Sequence, residues 1–109
     1  MTVLNDAGTA GESTFLGLRE NIIDRSEFPI YAFLNLSSMG LISANRISEL
    51  DSLDKIDLDA TVACVESNRD IIRGIKVRAS GVIFRMFGVE LLKLGRALAR
   101  EVRLPLMVH

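Results

Sequence analysis

The sequence predicts an α/β domain built from parallel (β/α) units. Three observations carry this. Short apolar runs alternate with longer amphipathic stretches in the order β-α-β-loop-α-β-α-β, and such alternation requires crossover connections, hence a parallel sheet. The run Pro29-Ile30-Tyr31-Ala32-Phe33-Leu34-Asn35-Leu36 is apolar almost throughout, as strands covered by helices are. Polar side chains stand where the apolar runs end, at Asp6, Asn35, Lys76 and His109. Crossovers are right-handed nearly always, which leaves two architectures, a barrel arc or a doubly wound open sheet.

The first strand is expected over 2–6, followed by Ala7-Gly8-Thr9-Ala10-Gly11, whose glycines suit a tight strand-to-helix turn. A helix over 13–25 follows, because Phe15, Leu16, Leu18, Ile22 and Ile23 recur at roughly helical spacing and Ser13 or Thr14 can cap it. The second strand, 29–36, opens on Pro29, a position where proline is tolerated. The stretch 37–54 reads as a long polar loop containing Gly40 and a short helix near 47–50, and a loop that long in a compact domain is functional or disordered. Asp57 or Asp59 starts a helix that finishes near Asn68, and 71–77 is the third strand. After a glycine-punctuated connection over 80–88, a helix over 89–102 lines up Leu91, Leu92, Leu94, Leu98 and Val102 on one side. The last strand, 104–108, is entered through Pro105. Neither an internal repeat nor a low-complexity tract interrupts this order.

With 109 residues the chain is expected to form a single domain, 1–109, smaller than a complete barrel enzyme. An apolar fraction of 49% and a charged fraction of 25% are ordinary globular values, which argues against disorder. A net charge of −1 gives no footprint for nucleic acid or anionic lipid. No apolar run approaches the ~20 residues that span a bilayer, and the first residues lack the order of a signal peptide. The single cysteine, Cys64, cannot form an internal disulfide, and the expectation is a reduced, cytoplasmic protein with that thiol in the core.

In either architecture ligands collect at the carboxyl ends of the strands. Lys76 lies between Ile75 and Val77, so its ammonium must find a partner, emerge into a cleft or lose its charge. A lysine so placed can form a Schiff base, bind an anion, or react with carbon dioxide to give a carbamate; the plainer alternative is an ion pair with a neighbouring carboxylate. His109 is a candidate metal ligand, although one histidine alone is equally an exposed and idle side chain. Asp6 can orient a neighbour or bond the amides of the Gly8 turn. Asn35 can hold a substrate carbonyl or satisfy the loop after it. Arg78, two residues beyond Lys76, shares its face if the strand continues, and can anchor a substrate carboxylate or lie solvated in the loop.

Four segments taken together carry a family resemblance. Thr2-Val3-Leu4-Asn5-Asp6-Ala7-Gly8-Thr9-Ala10-Gly11, Ala32-Phe33-Leu34-Asn35-Leu36-Ser37, Asn68-Arg69-Asp70-Ile71-Ile72-Arg73-Gly74-Ile75-Lys76-Val77-Arg78 and Leu104-Pro105-Leu106-Met107-Val108-His109 occur in that order, and the resemblance they carry extends over essentially the whole chain. They resemble the amidohydrolase superfamily, and within it the dihydroorotase-like deacetylase metallohydrolases. The resemblance implies strands two to five of a TIM (β/α)₈ barrel. It implies that Lys76 is carboxylated and bridges two divalent metals, zinc in the usual case, and that His109 ligates one of them. The reaction implied is hydrolysis of a small-molecule amide or ester by a metal-activated hydroxide. Arg78 and Asn35, by their places at the strand ends, are the candidate substrate contacts.

The departures bear on activity. The family's His-x-His pair, its second histidine and its general-base aspartate have no match here, and His109 is the only histidine. A catalytic zinc usually has three protein ligands, so the isolated chain is expected to be inactive and to need the rest of a barrel, or a second copy, to cover its sheet edges. The segment Gly81-Val82-Ile83-Phe84-Arg85-Met86-Phe87-Gly88 is more apolar and basic than the family's, which leaves substrate contacts there open. Three other readings compete. One is a Schiff-base lyase or aldolase fragment with Lys76 as nucleophile, activated by burial or by Arg78. Another is a receiver-type signalling domain, disfavoured because its third strand ends in lysine. The last is a non-catalytic remnant that self-associates.

Overall fold

The computed structural model describes residues 2–5, 10–37, 56–78 and 89–109. Four strands, β1 (Val3–Asn5), β2 (Ile30–Asn35), β3 (Ile72–Val77) and β4 (Leu106–Val108), form one parallel sheet in the spatial order β1-β2-β3-β4. The order never reverses. A doubly wound sheet has a switch point, whereas right-handed crossovers that always step the same way put every helix on one face. Of the two architectures the sequence allows, this is the barrel arc.

The helices are α1 (Phe15–Leu18), α2 (Leu58–Ser67) and α3 (Glu90–Val102). In place of one helix over 13–25, α1 passes into a π-helical turn over Arg19–Ile23. Asn21 lies in that turn, and its Nδ2 donates to the Gly17 carbonyl at 3.0 Å, the acceptor its own backbone N–H would use in a regular α-helix. Thr14 precedes α1 without capping it by its side chain; its hydroxyl instead accepts from the Gly11 N–H at 3.2 Å. At α2 the expected cap is present, with the Asp57 carboxylate accepting from the Ala60 N–H at 2.9 Å. Helix α3 ends where Arg103 turns left-handed at φ 59, and the Arg103 and Leu104 N–H groups close back on the last turn. Strands β3 and β4 begin one and two residues later than the sequence suggests: 71 is a turn residue, and Pro105, which has no N–H to give, joins β3 only through its carbonyl, which accepts from the Ile75 N–H at 2.9 Å.

The core lies between the sheet and the helices. Ala32, Leu34, Ile72, Ile75 and Val77 from the strands meet Phe15, Leu18, Val65, Leu91, Leu98 and Val102, all buried. Gly95 sets how near α3 comes to the sheet. A Cβ there would lie 2.7 Å from Val77 Cγ2 and 3.4 Å from Leu106 Cδ1, so Val77 and Leu106 point toward the helices. Cys64 packs half-buried against this core, as expected of it, and burial pushes its thiol up to about 11. No helix among the described residues is long and apolar enough to cross a membrane.

One irregularity governs which way side chains face. Ala32 pairs with Ile72, but Phe33 pairs with Gly74, so β3 carries one residue more than β2 at this point. A slip of one residue turns every later side chain to the other face. Without it Lys76 would align with Leu36 on the helix side; with it Lys76 aligns with Asn35 on the opposite, inner face. The extra length also lets Arg73 lie over the Tyr31 ring, 4.5 Å from its centroid.

Arg19 ties the first helical segment to the turn before β3. It donates to Asn68 Oδ1 at 2.8 Å and makes a two-pronged pair with Asp70 at 3.0 and 2.8 Å. The hydrogen bond from Arg19 holds the Asp70 carboxyl below its ordinary range.

Two outcomes test this packing. Gly95→Ala gains up to ~1 kcal/mol of helix propensity but overpacks a stiff β-branched neighbour, typically a loss of about 1–3 kcal/mol; a lower urea midpoint at unchanged m is expected, and a higher one would contradict the contact. Because the folded-state value of Asp70 is depressed, its contribution is present above the unfolded value near ~3.9 and is lost as pH falls below it. Asp70→Asn should therefore flatten the acid limb of a stability-versus-pH curve, and an unchanged limb would mean that the Arg19 pair contributes nothing.

Candidate functional site

At the carboxyl end of the sheet, Asn35, Lys76 and Met107 stand abreast on β2, β3 and β4. Their side chains share the inner face, since Phe33 covers Gly74 just below and Val77 and Leu106 point the other way. The Phe33 ring lies so close that a Cβ at Gly74 would sit 2.6 Å from it. Phe33 over Gly74 thus forms the floor on which Lys76 stands.

Lys76 is only 7% exposed, and its Nζ lies 3.2 Å from Met107 Sδ. A thioether is a weak, uncharged acceptor. Among the described residues no carboxylate pairs with this amine, so the plainer reading of Lys76, an ion pair at the strand end, finds no partner in them. Burying a cation with only a sulfur for a partner among the described residues is unfavourable, and the arrangement suits an amine that acquires negative charge by reaction or an anion by binding.

His109 follows β4, and its backbone N–H donates to Val77 O at 3.0 Å. Alternation from Met107 puts it on the inner face, one two-residue repeat or about 6–7 Å along the strand from the Lys76 level. It is exposed. Arg78 is half-buried and directly follows β3, which ends at Val77, so strand alternation does not fix its face. Asn35 is 2% exposed, and its Oδ1 accepts from the Ser37 N–H at 2.9 Å, so its carbonyl serves the turn after β2. Asp6, the Gly8 turn, the short helix near 47–50 and the Gly81–Gly88 segment lie outside the described residues, as does the 37–54 loop beyond Ser37.

Among the described residues no group of three or more His, Cys, Asp or Glu comes together. Two candidate ligands on adjacent strands fit part of a metal site, provided Lys76 gains oxygen donors. Sequence reasoning missed Met107, because a methionine in an apolar strand reads as core filler. The signal was its spacing, two residues before His109 on a strand that neighbours Lys76.

No family model matches the sequence. Over all of its length the chain is 50% identical to a deacetylase of Brucella anthropi and 49% identical to a deacetylase of Agrobacterium fabrum. It spans 27% of the length of each. Among solved structures, 99% of the chain superposes on 30% of a dihydroorotase at 46% identity and a TM-score of 0.91. It superposes equally completely on 28% of an adenine deaminase at 27% identity and a TM-score of 0.86.

The turn after β2 provides the test of this geometry. Asn35→Ala leaves the buried Ser37 N–H without this acceptor, a cost of about 1–3 kcal/mol, while Asn35→Asp keeps the oxygen. Denaturant unfolding should show the alanine variant clearly the weaker of the two; equal losses would mean that Oδ1 is not what the turn requires.

Proposed function

Because the chain belongs to the amidohydrolase superfamily and matches a segment of its deacetylase and dihydroorotase-like members, we propose that it forms part of the site of a metal-dependent hydrolase acting on a small-molecule amide or ester. The single observation that carries this reading is Lys76, an amine buried at a strand end with a thioether as its partner and no carboxylate among the described residues. Reaction with carbon dioxide, with loss of a proton, converts that amine into a carbamate. The carbamate turns a cation into an anionic ligand with two oxygens.

In this reading Lys76, as its carbamate, and His109 hold divalent metal, zinc in the first instance and as a pair in the complete site. When bound, such metal supplies a hydroxide nucleophile at neutral pH and polarises the scissile carbonyl. The chain's own residues bind and orient. In this reading Asn35 and Arg78, at and just beyond the ends of β2 and β3, hold the polar end of the substrate. The Phe33 ring closes the site from below and keeps water from the lysine stem. The chain spans 27% of its deacetylase relatives and carries one histidine, so further ligands and a general base are expected from the rest of a barrel, and the chain by itself is expected to be inactive.

Carbon-13 NMR in labelled bicarbonate tests the reading directly. A carbamate resonance that strengthens with zinc and vanishes in Lys76→Gln is expected, together with a loss of zinc affinity of about tenfold or more in His109→Ala. No carbamate in the presence or absence of divalent metal would defeat it.

A further inference from the structure

We propose that Met107 is a positioning residue that seats the Lys76 amine, accepting a hydrogen bond from Nζ at its thioether sulfur. The inference deepens the hydrolase reading, since it rests on Lys76 as the reactive amine of that site. Three observations support it. Met107 is the register partner of Lys76 across the β3–β4 ladder, so backbone hydrogen bonds fix the two side chains as neighbours. The Nζ to Sδ distance is 3.2 Å, and it is the polar contact that accompanies the burial of Lys76 to 7% exposure. On the other flank the register partner Asn35 turns its carbonyl oxygen to Ser37.

The choice of sulfur has a chemical consequence. A carboxylate at position 107 would hold the lysine as a tight charged pair. A thioether holds the side chain by a weak and directional contact that yields when the nitrogen forms a bond elsewhere. Its unbranched, flexible stem can follow that movement, which a branched aliphatic side chain cannot. Met107 therefore orients the amine while competing for it only weakly. Packing alone would ask only for volume, and there leucine and methionine are nearly interchangeable.

That difference sets the experiment. The chain has three lysines, Lys55, Lys76 and Lys93, which limited acylation with succinimidyl acetate and peptide mass spectrometry can follow separately. Lys93, exposed on α3, is the internal reference. Met107→Leu, with an unchanged circular dichroism spectrum, is expected to raise the Lys76-to-Lys93 labelling ratio several-fold and by at most about tenfold, the range a single weak hydrogen bond supports. Met107→Gln, which restores an acceptor at similar reach, should return the ratio toward that of the unmodified protein. An unchanged ratio in the leucine variant overturns the proposal, as does a rise in the glutamine variant equal to that in leucine. A second measurement leaves position 107 intact. The Met107 methyl carbon resonance should shift in Lys76→Gln, and an unmoved resonance also overturns the proposal. Neither readout involves metal, bicarbonate or turnover, so the absence of a carbamate would defeat the hydrolase reading and leave these results standing.

Discussion

A parallel sheet with helices packed on one side has one dry face and one face that can accept polar groups, and the chain cannot place a lysine between two buried aliphatic neighbours without choosing between them. The choice here is made by the register of β3 against β2. The additional residue between the Ala32–Ile72 and Phe33–Gly74 pairs turns Ile75 and Val77 into the core and Lys76 out of it. The pairing of Asn35 with Lys76 depends on this, while Met107 meets Lys76 through the regular β3–β4 ladder, and Phe33 has room below it only because Gly74 has no side chain.

Much of the fold was legible in the sequence, and the reasons are physical. The run through Ile30 to Leu36 and the leucine side of α3 announced themselves because burial imposes a period on apolar residues, and Asp57 announced a helix start because its carboxylate satisfies an otherwise orphaned amide. The polar residues at the strand ends were visible for the complementary reason, since a lysine or asparagine within such a run needs an explanation. What stayed hidden was whatever depends on one strand's position relative to another. The shift between β2 and β3 leaves no mark in either strand alone. The π-helical turn after α1 depends on a side chain of ordinary helical tolerance, Asn21, taking a backbone acceptor. Met107 looked like filler because its meaning comes from the strand beside it.

The site is thus read at two levels. Residue type and position within a strand identify Lys76 and His109 as candidates, and the family resemblance gives them roles. Register then adds their surroundings. It commits the Asn35 oxygen to the Ser37 N–H and, among the described residues, sets a neutral partner beside Lys76. The second level restrains the first, because an amine beside sulfur has different chemistry from one beside a carboxylate.

The polar contacts at the opposite end of the sheet have a meaning of their own. Arg19 reaches Asn68 and Asp70, and Arg69 bonds both Glu66 and the Val102 carbonyl at the end of α3. These contacts fasten three helical segments together beneath the strands, far from Lys76. A scaffold clamped below and reactive above divides the labour of inheritance. Substitutions near the strand tips can alter what is recognised while the clamp preserves the shape that displays them, so new specificities can be sampled without the whole assembly being rebuilt.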